Sequence, residues 1–273
     1  MRLLLLSFVF SISSLGQQDP LMRTDGFTPF WNNPASYGAR NKIGVNTIGR
    51  LQWTNLLVNS NTFMMNLDAS LAIKGKVADD KHAVGVGLLY YYDGISFFDT
   101  HNFKIPLNYK VKFQHSTLSF GAGLGFMTNM LVDQAVTKFD LDAGVFFNHS
   151  KYYVGFSATQ LNAPFYNELN YQGARHFYLQ GGYQFDLGKV KIYPQTQFRY
   201  VGGFQGGWLM NYIQFWEEKV SLGLGLGSGS IFMGALRLNW KQWSVNYIYE
   251  INGGSLANVI GPSHELRLAF EIR

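Results

Sequence analysis

The sequence predicts an all-β chain, an antiparallel up-and-down β-barrel of about fourteen strands that crosses a membrane. Three observations predict it. Apolar and polar residues alternate with period two along almost the whole chain, and helical periodicity is almost absent. The apolar faces so defined carry no charged residue. Tight turns alternate with longer polar connections, and aromatic residues bracket the tight ones.

The first element is a leader. "MRLLLLSFVFSISSLGQQDP" carries a basic Arg2, an apolar run from Leu3 to about Phe10 and small residues ending at Gly16. Residues 1–16 read as a cleaved export signal, with Gln17 as the mature N-terminus, because the run is too short to span a bilayer as a helix. Without Arg2 the chain holds 21 Lys plus Arg against 17 Asp plus Glu, a net of +4. These basic residues are scattered rather than gathered into a stripe, so nucleic acid is not an expected partner. Charged residues make up only 14% and aromatics 16%, while glycine occurs 30 times. That is a greasy composition for a chain in water. The absence of cysteine removes disulfides, thiol catalysis, thiolate metal sites and a cysteine-linked lipid anchor.

Residues 17–40 form an N-terminal periplasmic or plug segment, and 41–273 the barrel. The expected strands are 42–53, 61–72, 82–92, 103–113, 116–127, 138–148, 151–159, 175–186, 189–200, 208–216, 219–226, 230–240, 243–250 and 264–273. In "KIPLNYKVKF" the residues Ile105, Leu107, Tyr109, Val111 and Phe113 share one face, and Lys104, Asn108, Lys110 and Lys112 the other. Leu118, Phe120, Ala122, Leu124 and Phe126 continue the pattern, opposed by Thr117, Ser119, Gly121, Gly123 and Gly125. Strand 208–216 is largely apolar on both faces, which leaves its facing ambiguous. Gln114-His115, His149-Ser150, Leu187-Gly188, Glu217-Glu218 and Lys241-Gln242 read as tight periplasmic turns. Segments 93–102, 128–137, 160–174, 201–207 and 251–263 read as longer outer loops. Phe113, Phe147, Tyr152, Phe185, Trp216, Trp240 and Trp243 bracket the tight turns, and Tyr90 and Tyr92 suit the opposite rim.

The charge count separates a barrel from a soluble sandwich. About seventy outward positions should hold about ten charges at the average content, and they hold none. The strand charges all fall on the other face: Lys42, Arg50, Asp68, Lys104, Lys110, Lys112, Lys138, Asp140, Asp142, Lys191, Arg199, Lys219, Arg237, Glu250, Glu265, Arg267 and Glu271. A sandwich would tolerate that pattern, but it does not account for the turn asymmetry and the aromatic brackets together. Open sheet edges cannot stand in hydrocarbon, so the sheet must close, with 264–273 pairing 42–53. There Glu265 and Glu271 are placed to meet Lys42 or Arg50. The expected environment is the outer membrane, with lipid on one face and a polar lumen on the other.

Little in the sequence points to catalysis. His82, His101, His115, His149, His176 and His264 have no metal-binding spacing, so no metal or cofactor is expected. His149-Ser150 are neighbours on a tight turn, which does not give base–nucleophile geometry, so the chain reads as not an enzyme. "GAGLG" (121–125) and "GLGLGSGS" (223–230) have glycine at every second position inside strands rather than at a strand-to-helix turn. They clear side chains from the lumen wall and make room for a loop, the N-terminal segment or a ligand.

The segment after the leader carries a resemblance. Gln-Asp-Pro after the signal, Asn33-Pro34-Ala35 with Gly38 a little later, and a strand ending Arg50-Leu51-Gln52-Trp53 resemble the PorP/SprF family. These are outer-membrane barrels of the type IX secretion system. The family pattern Asn-Pro-Ala-Tyr-Ala-Gly reads Asn-Pro-Ala-Ser-Tyr-Gly here, and the chain ends in Arg273 rather than an aromatic residue. The resemblance implies a role in export or surface attachment of cargo proteins. It implies as partners periplasmic secretion-machinery proteins or the C-terminal domains of secreted cargo, besides the lipid bilayer. Asn33 and Pro34 before the barrel are candidate partner-binding residues, with a tether or lumen plug as the structural reading. Phe165, Tyr166 and Tyr171 in the loop 160–174 are further candidates, since aromatic residues on loops serve as anchors. The alternative function is an outer-membrane diffusion channel or transporter for small or apolar solutes, with the N-terminal segment as an inner plug.

Overall fold

The computed structural model describes residues 22–23, 31–39, 43–56, 60–73, 81–132, 134–169, 171–253 and 257–272. The expected export signal and Lys42 lie outside them. The strands are β1 (Ile43–Gln52), β2 (Ser60–Ala72), β3 (His82–Ile95), β4 (Phe98–Lys112), β5 (Ser116–Leu131), β6 (Gln134–His149), β7 (Tyr152–Thr159), β8 (Phe165–Tyr166), β9 (Tyr171–Gln172), β10 (His176–Tyr183), β11 (Phe185–Asp186), β12 (Lys191–Val201), β13 (Phe204–Phe215), β14 (Val220–Gly227), β15 (Ile231–Trp240), β16 (Trp243–Asn252) and β17 (Ser263–Ile272). All pairings are antiparallel, each wall strand bonds to its chain neighbours, and β1 closes on β17 from Ile43↔Ile272 to Leu51↔His264. With β8–β9 a separate hairpin and β11 the continuation of β10, fourteen strands make the closed wall. Closure leaves no ladder edge facing lipid.

Burial runs opposite to that of a water-soluble protein. Leu107 on β4 is 42% exposed, whereas Lys110 on the same strand is 0% exposed. Phe63, Met65, Phe120, Leu124, Leu222, Leu266 and Leu268 are exposed, while Arg50, Asp68, Lys104, Asp140, Asp142, Glu250, Glu265 and Arg267 are buried. Charged groups are almost never fully buried in a soluble core. The apolar surface therefore faces hydrocarbon, and the charges line a filled interior.

The expected outer loops 93–102, 128–137 and 201–207 are instead strand. β3 and β4 run on to a turn at Ser96-Phe97, β5 runs to Leu131 and β6 starts at Gln134, and β12 and β13 run on to Gly202-Gly203. Past the row Phe103, Phe126 and Phe139 the wall stands in water on its outside, so both faces become polar and the period-two contrast fades. Outward, Tyr92 donates to Asp99 at 2.9 Å and the Thr128 and Thr137 hydroxyls meet at 2.8 Å. Inward, Thr100 donates to Asn129 at 2.9 Å. The wall is consequently uneven: β5 and β6 have 16 residues each and β14 has 8. The loop 160–174 is real, and 251–263 is β16 and β17 ends joined through a helical turn, Ala257–Ile260.

Aromatic residues mark both rims. Phe113, Phe185, Trp216 and Trp240 are exposed at the end that carries Ile43 and Ile272, and Trp243 packs on Phe270 at 4.7 Å. At the opposite rim the Tyr90 hydroxyl hydrogen-bonds His101 Nδ1 at 2.9 Å and that of Tyr247 bonds His264 Nδ1 at 2.7 Å. Rings with polar tips suit this depth.

Candidate functional site

The site is the lumen and the chain held in it. Residues 31–39 run down the inside of the wall towards the start of β1, packed against β4, β5 and β6. A short 3₁₀ turn, Pro34–Ser36, gives this stretch its shape. Asn33 caps it, its Oδ1 accepting from the Ala35 amide at 3.0 Å and its carbonyl from the Ser36 hydroxyl at 2.8 Å. Pro34 opens the turn, where its fixed φ fits and its missing N–H costs nothing. Tyr37 caps its end, and Gly38 follows at φ +65°, with a Cβ there placed 2.5 Å from the Ala69 carbonyl oxygen. Only glycine suits that position.

The inward glycines are the other half of this fit. A Cβ at Gly144 would stand 2.2 Å from Asn33 Oδ1, one at Gly121 2.5 Å from the Ala35 amide nitrogen, and one at Gly85 2.2 Å from the Tyr37 carbonyl oxygen. Of the first glycine stretch, Gly121 makes room for the N-terminal segment, whereas Gly123 lies against Asp142 and Gly125 against Phe103 and Lys104. The second serves a different neighbour, because Gly223 lies under Tyr212 and Gly225 under Met210 and Met233. Those side chains form a lumen cluster with Trp208 and Ile248.

Wall side chains hold the segment largely by its backbone. Asn108 Nδ2 donates to the carbonyls of Pro34 at 3.0 Å and Tyr37 at 2.9 Å. The Gly38 amide donates to Asp68 at 3.1 Å, and the Gly38 carbonyl accepts from Lys110 Nζ. Asn33 Nδ2 donates to the Val145 carbonyl at 3.3 Å, and Gln180 donates to Asn32 Oδ1. Trp31 meets Tyr91 and Tyr178 edge-on at 5.7 and 6.1 Å. Polar groups shut away from water need such partners.

Nearer the opposite rim a charge cluster fixes Arg23. Its backbone amide donates to both oxygens of Glu265 at 3.0 and 3.1 Å, and its Nε to Glu250 at 3.0 Å. Arg50 binds the same carboxylates, Glu250 at 2.5 and 3.0 Å and Glu265 at 2.9 Å. Among the described residues, two arginines and two carboxylates thus meet where β1, β16 and β17 come together. The expected pairing of Arg50 with Glu265 is present. A second buried set joins Lys104 to Asp140 at 2.8 Å and Asp142 at 2.6 Å.

Each candidate residue has a definite place. Asn33 and Pro34 are buried in the lumen, so their contacts are with the wall. In the outer loop Phe165 is 48% exposed, whereas Tyr166 is fully buried. Tyr171 pairs with Tyr166 across the β8–β9 hairpin. Sequence reasoning missed Asp68, Asn108 and Gln180 as holders of the segment, although the bare glycines beside them signalled the space.

A closed outer-membrane barrel with Asn-Pro-Ala…Gly seated inside it agrees with one family model, type IX secretion system membrane protein PorP/SprF, which matches residues 14–270. The chain belongs to the PorP/SprF family. It is therefore an outer-membrane component of the type IX secretion system. No curated protein matches it. Among solved structures it is similar to the Acinetobacter baumannii outer membrane protein Omp33, with 14% identity and a TM-score of 0.47 over 85% of this chain and 99% of that one. It is also similar to Salmonella typhi OmpF in complex with daunomycin, with 9% identity and a TM-score of 0.42 over 84% and 97%. A third is the Salmonella typhi outer membrane phospholipase dimer with bound calcium, with 11% identity and a TM-score of 0.39 over 92% and 94%.

Proposed function

We propose that this PorP/SprF protein aids the export or surface attachment of cargo proteins by binding, without catalysing a reaction. The observation that carries this reading is the polypeptide already seated in the lumen. Asn108, Asp68, Lys110 and Gln180 hold a peptide through backbone carbonyls, amides and side-chain amides, which is chemistry suited to a protein ligand. The partners in this reading are periplasmic secretion-machinery proteins or cargo C-terminal domains, and exposed Phe165 is the loop residue placed to meet one of them. Crosslinking in intact envelopes, followed by mass spectrometry, tests it. Secretion components or cargo domains should be recovered, and export of surface proteins should fall when the gene is deleted. Unchanged export would count against the reading.

The competing function, a diffusion channel or transporter, requires the segment to leave. Solute uptake by liposomes holding the intact protein would support it, whereas uptake appearing only after the segment is displaced fits a closed binding component.

A further inference from the structure

From one stretch of the lipid-facing wall we infer that the protein pairs with a second copy of itself within the bilayer, about a two-fold axis passing in front of β13. Asn211 is the starting point. It faces outward with Leu209 and Ile213, opposite the buried Met210 and Tyr212, five residues from the rim residue Trp216. Its side-chain amide makes no hydrogen bond among the described residues. An amide in hydrocarbon without a partner is costly, and lipid tails offer none. The Thr196 hydroxyl beside it donates to the Trp208 carbonyl at 2.7 Å, so it has no hydrogen left for the amide oxygen of Asn211.

The surface on the two sides of Asn211 is complementary. On one side lies an apolar groove of 530 Å³ lined by the small residues Gly181 and Thr196, by Pro194, and by Val154, Tyr183 and Leu209. On the other side Leu222, Leu224 and Leu226 of β14 form a ridge, with Leu224 77% exposed. The register sets these side by side, Pro194 opposite Asn211 and Asn211 opposite Leu224. Both copies have the same orientation in a membrane, so their symmetry axis runs along the membrane normal. Rotation about that axis brings β12 of one copy against β14 of the other, twice. Each leucine ridge then enters the other copy's groove, and small residues allow close approach. Asn211 meets its own symmetry mate, and an amide has both the donor and the acceptor for a reciprocal pair. An acyl chain would fill the groove but leave the amide unmet.

The absence of cysteine makes the test direct. Asn211→Cys in native membranes, oxidised with iodine, should yield a disulfide-linked species of twice the chain's mass. Leu107→Cys on β4 should not. Adding Gly181→Trp fills the groove, where a Cβ meets nothing nearer than 3.7 Å, and should lower the linked fraction about tenfold. Folding of each variant is checked by resistance to unfolding in cold SDS. Only monomer from folded Asn211→Cys, equal linkage at Leu107→Cys, a product of another mass, or no effect of Gly181→Trp would each overturn the inference.

Discussion

Arg23→Ala tests how the lumen segment is secured. Among the four charges at the β1–β16–β17 junction, Arg23 contributes one positive charge and a 3.0 Å bond to Glu250. Its removal leaves two carboxylates sharing Arg50, so one buried negative charge is uncompensated. Removing one partner of a buried pair usually costs 3–5 kcal/mol, and because Arg50 keeps both carboxylates the expected loss is about 3 kcal/mol. At 1.4 kcal/mol per tenfold, opening of the segment should become roughly 100-fold more frequent. Hydrogen exchange reads this at the amides of Ala35, Ser36, Gly38 and Ala39, each of which donates within the lumen. Their exchange should accelerate by that factor while wall amides on β5 and β6 do not change. Adding Glu250→Gln removes one negative charge, restores the balance and should recover part of the protection. If the four amides keep their wild-type rates, or β1, β16 and β17 loosen equally, the cluster secures barrel closure rather than the segment.

Four further outcomes are expected. Gly144→Val should expel Asn33 and raise single-channel conductance in planar bilayers, whereas Gly234→Ala, where a Cβ meets nothing within 4 Å, should leave it unchanged. Leu268→Arg places a charge against acyl chains and should cost about 2–4 kcal/mol in urea unfolding from lipid vesicles; spin labels at Leu107, Leu141 and Leu268 should be accessible to oxygen dissolved in the bilayer. Lys104→Ala leaves Asp140 and Asp142 facing each other and should cost about 3–5 kcal/mol in the same unfolding experiment, with much of the loss recovered by Asp142→Asn.

Much of this architecture was legible because lipid imposes a simple rule on each strand. Leu118, Phe120 and Leu124 alternate with Ser119, Gly121 and Gly123 wherever hydrocarbon touches one side, and there the strands lie where the alternation puts them. Arg50 with Glu265 was legible too, since closure dictates which strands meet. The rule ends where the bilayer ends. Asp99, His101, Thr128 and Thr137 sit on well-paired strands yet read as loop, because water replaces hydrocarbon on the outer face there and both faces are polar. The lumen contacts were illegible for another reason. Asn32 meets Gln197 across 165 residues of sequence, and no periodicity links such distant positions. Tyr166 looked like a free aromatic on a loop, but the fold of that loop buries its ring.

The difference between the 16-residue β5 and β6 and the 8-residue β14 has a mechanical consequence. With strands inclined roughly 40° and rising about 3.3 Å per residue, one flank stands some 20 Å taller than the other. The mouth is thus cut on a slant, like a scoop, with its lip at the β14–β15 turn. The opening therefore tips towards the membrane plane on the low flank, while the high flank stands behind it as a screen.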